Sequence, residues 1–470
     1  MTQPEINTHS QDETKMTEDQ GLTFESKLSP SAKAILRFVR TFEEGGQLQV
    51  FQTDAEFELL HTMVTSYRGS LYSLLTRRLE EVVNLGGVSI ISQRDVMSLI
   101  VNLWEDNISR LSRTELPFLE TAIKNPGASL NTLATNAGLS YAQTRRAQKR
   151  LSESGVLRTV GLVNTHKLGL ERVIIIFESP SLVLSGPYVQ KTLMVDGYSP
   201  LVFVVATIPH QKRSELLDTI RSFRGSTGGA SVWALSDGRP FFSGRYFTPH
   251  NGWVLDLLHF RLMLRKGGDP LLLADVATPS PRTPNRFTYA DVKIIDALVG
   301  EYDRTGNEIV SITGLSASTA FRKRSQLIKN RVVLPRARVN IPRLSDRVVC
   351  LLSPECSGDI ITAWNHLPIT YQSRIQNIED PSEKKVLLVS ALPAGSGRDL
   401  IEVLNDETSK IHDYSAHVVA AGTGQSTKVA NMYDRQSDSW KWDVSKYFDA
   451  LTYSVVRREA SPTNIPLDLA

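Results

Sequence analysis

Two stretches of this chain carry residues suited to reading a polyanion. Gly138–Leu157 (GLSYAQTRRAQKRLSESGVL) and Gly314–Val333 (GLSASTAFRKRSQLIKNRVV) lie 176 positions apart and share one frame. Glycine supplies a tight turn before each, and Ser140 and Ser316 supply helix caps. At helical spacing, Thr144, Ala147 and Leu151 make an inward seam in the first stretch; Ala320 and Leu327 make it in the second. Tyr141, Gln143, Arg145, Arg146 and Lys149 are then expected to face outward, as are Ser318, Thr319, Arg322 and Lys323. A glutamine amide pairs with adenine edges, and a guanidinium reads guanine or grips phosphate. The plain alternative, a solvated charged face, fits a single basic run less well here, because turn, cap and seam recur twice.

The elements that must position these helices follow from the flanking sequence. Leu116, Leu119 and Ile123 mark a helix ended by Asn125-Pro126-Gly127, and Ser129 caps a second one. Val156–Val163 alternates weakly, as a short β-wing would. An apolar strand, RVIIIFE (Arg172–Glu178), comes next, followed by a short helix around Val189 and strands at 201–208 and 230–235 flanking a helix at 214–223. The later copy reads more fully as strand 347–352, helix 359–365, hairpin 370–378 and 384–392, helix 398–404 and strand 415–421. That is the β-α-β-β-α-β order of a ferredoxin-like domain. In the first copy a clear second strand is missing. Tyr246, Trp253, Asp256 and Phe260 recur as Tyr433, Trp440, Asp443 and Tyr447, so each copy is expected to end in an aromatic-bearing helix.

The chain has 470 residues, enough for three to four domains at roughly 100–200 residues each. Its net charge is +3, yet 115–170 carries seven basic against three acidic residues and 288–348 carries eleven against six. The positive charge therefore sits on the repeats, as a polyanion-binding surface requires. Cys350 reads as a buried strand thiol, Cys356 is the other cysteine, and no metal-ligand spacing is visible. No 18-residue apolar run or leader segment occurs, which points to a cytoplasmic, unanchored protein without a cofactor.

The stretch Leu116–Leu170 resembles the winged helix-turn-helix of the leucine-responsive/AsnC family of transcription regulators. The second copy, from Asp291 (DVKIIDAL) to Leu344, keeps the frame with more divergence, and has Arg331 where that family usually has glycine. The resemblance implies an α+β chain: two winged helix-turn-helix domains (113–170 and 287–346), each followed by a ferredoxin-like domain (171–269 and 347–460). An N-terminal helical domain (29–112), an acidic tail (1–28), a Pro-rich linker (270–286) and a C-terminal tail (461–470) complete it. Within the helical domain, Ser29-Pro30 starts one helix, Phe57 to Val82 reads as one longer helix, and Ser92 caps a third. The resemblance implies a sequence-specific regulator of double-stranded DNA, with an amino-acid-like effector as a further partner and homo-oligomerisation open. It implies no enzyme and no membrane partner. Two alternatives stay open: a chromatin-type architectural protein, and an enzyme, because fused pairs of such units also resemble siroheme decarboxylases, which use histidine and arginine. The histidines His210, His250, His259, His366, His412 and His417 do not recur as a duplicated site; at an offset of 187, His210 meets Gly397 and His259 meets Lys446. Ser226–Gly229 (STGG) reads as a plain turn or a small-ligand loop.

Overall fold

The structure is a computed structural model that describes residues 25–46, 55–85, 90–195, 200–223, 229–266, 287–354, 357–407, 414–424, 428–443, 449–452, 454 and 456–457. The expectations for most of the acidic tail, the Pro-rich linker, the C-terminal tail, Ser226–Gly228, Cys356, His412 and Tyr447 lie outside those residues. The chain divides into two compact units, 1–110 with 149–156, and 111–148 with 157–470.

The first unit is helical: α1 (Pro30–Glu43), α2 (Ala55–Ser66), α3 (Leu71–Asn84) and α4 (Gln93–Ser109). Ser29 accepts from the Ala32 amide and Pro30 sits in the first turn, where its missing N–H costs nothing. Ser92 and Asp95 form a reciprocal capping box on α4. Leu36, Val39, Leu71, Leu75, Val96 and Ile100 fill one core. The single long helix expected from Phe57 to Val82 is two helices. Gly69 takes a left-handed φ of 92°, and Ser70 caps the new helix by accepting from the Ser73 amide.

The second unit is mixed α/β around a curled antiparallel sheet. Two helices, α5 (Glu115–Lys124) and α6 (Leu130–Ala137), and the first half of α7 (Tyr141–Glu153), whose residues from Lys149 on fall in the first unit, precede β1 (Leu157–Val163). Then come β2 (Leu170–Glu178), β3 (Leu182–Ser185), β4 (Val189–Val195), β5 (Leu201–Pro209), α8 (Arg213–Phe223), β6 (Gly229–Leu235) and β7 (Arg239–Phe242). A small hairpin, β8 (Phe247–Thr248) and β9 (Gly252–Trp253), leads into α9 (Leu257–Lys266). The second copy supplies α10 (Tyr289–Gly300), α11 (Gly306–Thr313), α12 (Ala317–Lys329), β10 (Val333–Val339), β11 (Asp346–Leu352), α13 (Ser357–Trp364), β12 (Ile369–Asn377), β13 (Lys384–Leu392), α14 (Ser396–Glu407), β14 (Tyr414–Val418) and β15 (Ala421–Gly424). It ends in β16 (Tyr433–Asp434), β17 (Ser439–Trp440) and β18 (Asp449–Thr452).

The large sheet runs β14-β11-β13-β12-β6-β2-β5-β4-β15, with β7 also on β12. Each copy thus contributes four strands in the same order. At one junction β6 pairs with β12, Ile375 opposite Leu235, and at the other β15, which follows β14, pairs with β4, Ala421 opposite Met194. Only Val419 and Ala420 separate β14 from β15, and their amides bond Arg347 O and Met194 O at 2.8 Å each. The chain thus passes from one end of the large sheet, β14, directly to the other, β15. Ile174, Phe203, Trp233, Val349 and Leu387 fill its inner face.

Two expectations are corrected and one is extended. The segment around Val189 is a strand, not a helix; VQKTLMV pairs with β5 and is the second strand that the first copy seemed to lack. The segment expected as a short strand at Val156–Val163 is β1, and it pairs with β10 of the second copy. In that ribbon Leu157 lies opposite Val339 and Val163 opposite Val333, and at its centre Val160 faces Arg336, its own counterpart 176 positions on. Third, the described part of the second copy's expected end helix is a strand. The counterparts of 262–265 form β18, paired with β3.

The copies also exchange their tails. Tyr246, Phe260 and Leu264 of the first copy share a core with Trp364 and Leu400 of the second. Met432 and Tyr433 of the second share a core with Leu168 and Tyr188 of the first. Trp440 Nε1 donates to Leu168 O (2.7 Å), and the Tyr188 hydroxyl donates to Lys441 O. Full burial of each such apolar side chain is worth about 1.5–3 kcal/mol, so each tail anchors the opposite copy.

Candidate functional site

Both basic helices start as the sequence requires. Gly138 and Gly314 end the preceding helices at φ 65° and 67°, a region open to glycine. Ser140 Oγ accepts from the Gln143 amide (3.2 Å) while Gln143 Oε1 accepts from the Ser140 amide (2.9 Å). Gln143 is therefore half-buried in its own cap, and its carbonyl is not free to meet a base. Ser316 Oγ accepts from the Thr319 amide (3.4 Å) and lies 2.9 Å from Thr319 Oγ1 and 3.4 Å from Ser318 Oγ.

The seams are buried: Thr144, Ala147 and Leu151 in α7, Ala320 and Leu327 in α12. Opposite them Tyr141 (51% exposed), Arg145, Arg146 and Lys149 face outward, with Lys149 3.7 Å from Glu153. Arg145 and Arg146 have no ion-pair partner among the described residues. In α12 Ser318 and Arg322 are exposed, and Phe321 stands where Arg145 stands in α7.

Lys323 departs from its expected outward position. It occupies the seam position of Ala147, its side chain is only 14% exposed, and Nζ lies 2.7 Å from Asp291 Oδ1 and 3.0 Å from Thr288 Oγ1. Helical spacing from Ala320 to Leu327 turns it inward. Burial would raise the Asp291 carboxyl, but hydrogen bonds from Lys323 and from the Thr288 hydroxyl and amide hold it below its ordinary value. Arg331 adopts φ 54°, at the same repeat position as Gly155 with φ 71°.

Two polar clusters lie elsewhere in the second unit. At the start of β2, Glu171 accepts from Arg213 Nε (3.1 Å) and Nη2, and its Oε2 is 3.1 Å from His210 Nδ1. Nearby Arg172 pairs with Asp237, and burial pulls the His166 imidazole down. Asp346, which opens β11, likewise accepts from the Gly397 amide (2.9 Å). In both copies a carboxylate at the strand start therefore steadies the first turn of the later helix, a structural role.

The second cluster joins the copies. Arg245 Nη1 lies 2.6 Å from His259 Nε2, and the Tyr246 hydroxyl lies 3.0 Å from His259 Nδ1. Arginine only donates, so Nε2 must accept and the ring proton sits on Nδ1, facing the phenol. The His259 and His366 rings stand 6.2 Å apart, nearly perpendicular. Burial, then Arg245, His259 and Lys266, holds His366 below its ordinary value. Burial chiefly, with Asp256 adding, pushes the Tyr246 phenol up to about 12. Sequence reading missed this site because tail exchange, not spacing, brings residues 245–266 to residue 366. Among the described residues no group of three or more His, Cys, Asp or Glu could hold a metal, and no helix is long and apolar enough to cross a membrane.

No family model and no curated protein matches the chain. It is similar at 13% identity to a solved structure of the siroheme decarboxylase NirDL, with a TM-score of 0.38, covering 67% of this chain and 96% of that one. The same identity and TM-score hold for NirDL in co-complex with an iron-uroporphyrin III analogue, over 66% of this chain and 92% of that one. This corrects the expectation of a chain that is no enzyme, since both similar structures are those of an enzyme. A likeness of this size does not bring that enzyme's reaction to this chain.

Proposed function

We propose that the chain is a sequence-specific DNA-binding protein in which two internal copies take the place of two subunits. Each copy, in this reading, is a helix-turn-helix domain joined to a ferredoxin-like domain. The order of each four-strand set, β6-β2-β5-β4 and β14-β11-β13-β12, supports it: fourth, first, third, second. The observation that carries the reading is the ribbon register, in which Val160 faces its own counterpart Arg336. A twofold pairing of this kind suits a pseudo-palindromic duplex, whose half-sites lie about 34 Å or a multiple apart. The exposed Arg145 and Arg146 support it by charge. Hydroxyl-radical footprinting on a selected duplex tests it. Two protected patches at helical-turn spacing are expected, and uniform cleavage across the duplex would contradict it.

A second reading, catalysis on a carboxylate-bearing substrate, is favoured by one observation. Arg245, Tyr246, His259 and His366 bring a fixed positive charge, a buried phenol and two imidazoles together, a set suited to acid–base work. Adding an iron uroporphyrin tests it. A shifted visible band lost in His366→Ala supports this reading, and an unchanged spectrum refutes it.

A further inference from the structure

We propose that Arg245, Lys266 and His366, with His259 positioning Arg245, form a binding site for the oxyanion of a small molecule, a carboxylate or a phosphate group. The proposal shares side chains with the catalytic reading and rests on it only there. Oxyanion binding without turnover would leave it standing.

The charge pattern on α9 carries the proposal. Arg265 makes a bidentate pair with Glu407 (Nε–Oε2 and Nη2–Oε1, each 2.7 Å), and Arg261 reaches Asp406 and Glu407 at 3.3 Å. The basic groups of the helix that face α14 are thus neutralised. Lys266, seven residues from His259 on another face, has no ion-pair partner among the described residues. Asp256 is engaged at the helix start, where Oδ1 accepts from the His259 amide (2.9 Å). Phe260 against Trp364 (6.1 Å between ring centres) fixes α9 on α13, whose end carries His366.

The result is a convergence of fixed charge without its complement. Arg245 spends one N–H on His259, leaving other donors of its planar fork for an oxyanion. His366 is half-buried beside it and can donate once protonated. Of the groups facing His366, Arg245 and Lys266 are basic and His259 is an imidazole held by Arg245 and Tyr246, so an arriving anion relieves a repulsion from the two cations as well as making bonds. Binding is accordingly coupled to proton uptake by His366. The exposed Arg245 and Lys266 leave the site open to small solutes.

The test is imidazole proton–nitrogen NMR on the full chain, titrated separately with inorganic phosphate and with acetate at constant ionic strength. Saturable movement of the His259 and His366 signals is expected, with the His366 titration moving to higher pH as the site fills. Arg245→Gln should weaken the midpoint by about ten-fold or more. Lys266→Met, at an exposed position, should weaken it without a change in the unfolding midpoint, which guards against misfolding as the cause. Saturation by phosphate alone assigns a phosphate group, and saturation by acetate alone assigns a carboxylate. Linear, non-saturating movement with both anions, or midpoints unchanged in both variants, would overturn the proposal.

Discussion

Replacing Arg331 by glycine should stabilise the protein. Arg331 holds φ at 54°, whereas the same repeat position of the first copy holds Gly155 at 71°. A side chain with a Cβ loses about 1–2 kcal/mol in this region, because Cβ crowds the following carbonyl. Glycine returns part of that gain through its freer unfolded chain, about 0.5–1 kcal/mol. The exposed Arg331 has no ion pair among the described residues to lose, so the net gain is about 0.5–1 kcal/mol. Urea unfolding at neutral pH measures it, with Arg331→Ala as the control that keeps Cβ and hence the strain. Gly155→Ala should lose stability by the corresponding net amount, about 0.5–1 kcal/mol, the strain less the reduced freedom of the unfolded chain. If Arg331→Gly is no more stable than Arg331→Ala, the strain argument fails.

Lys323→Met should cost about 1–3 kcal/mol by leaving Asp291 a poorer set of partners. Because Asp291 is held low, its contribution is present at neutral pH and lost as pH falls through its folded value, so this variant should show a weaker acid-induced loss in pH-dependent melts. Asp296 is the opposite case: burial pushes its carboxyl up to about 6, against hydrogen bonds from the Ala430 and Val429 amides. Its contribution is therefore greatest below the ordinary carboxylate range and lost as pH rises through about 6, a slope that Asp296→Asn should remove from the stability curve. Gly161→Ala should destabilise by about 1–3 kcal/mol in chemical denaturation, since a Cβ there would stand 2.6 Å from Leu298 O and 2.7 Å from Val333 Cγ1.

Local chemistry was legible in the sequence. Ser29 and Ser92 act as caps, Gly138, Gly155 and Gly314 sit left-handed, and the buried seams of α7 and α12 fall at helical spacing. What failed was the choice of partner. A single alternating segment says strand, but nothing in Leu157–Val163 says that it pairs with Val333–Val339 rather than folding into a hairpin. VQKTLMV is too short for its period to separate strand from helix. The inward turn of Lys323 had a signal, since the 176 offset sets it on Ala147, yet its charge argued for the surface. The cluster at Arg245 had none, because His259 and His366 meet only through the tail exchange.

Whether the exposed basic helix faces bind DNA is decided by fluorescence anisotropy with a labelled duplex. Wild type is compared with Arg145→Ala/Arg146→Ala at several salt concentrations. If an arginine reads a base, its removal should weaken binding by about 1–3 kcal/mol. If it grips a phosphate, its removal should flatten the dependence of log K on log salt by about 0.9. Binding curves and salt slopes that coincide for the two proteins would contradict DNA binding through these faces.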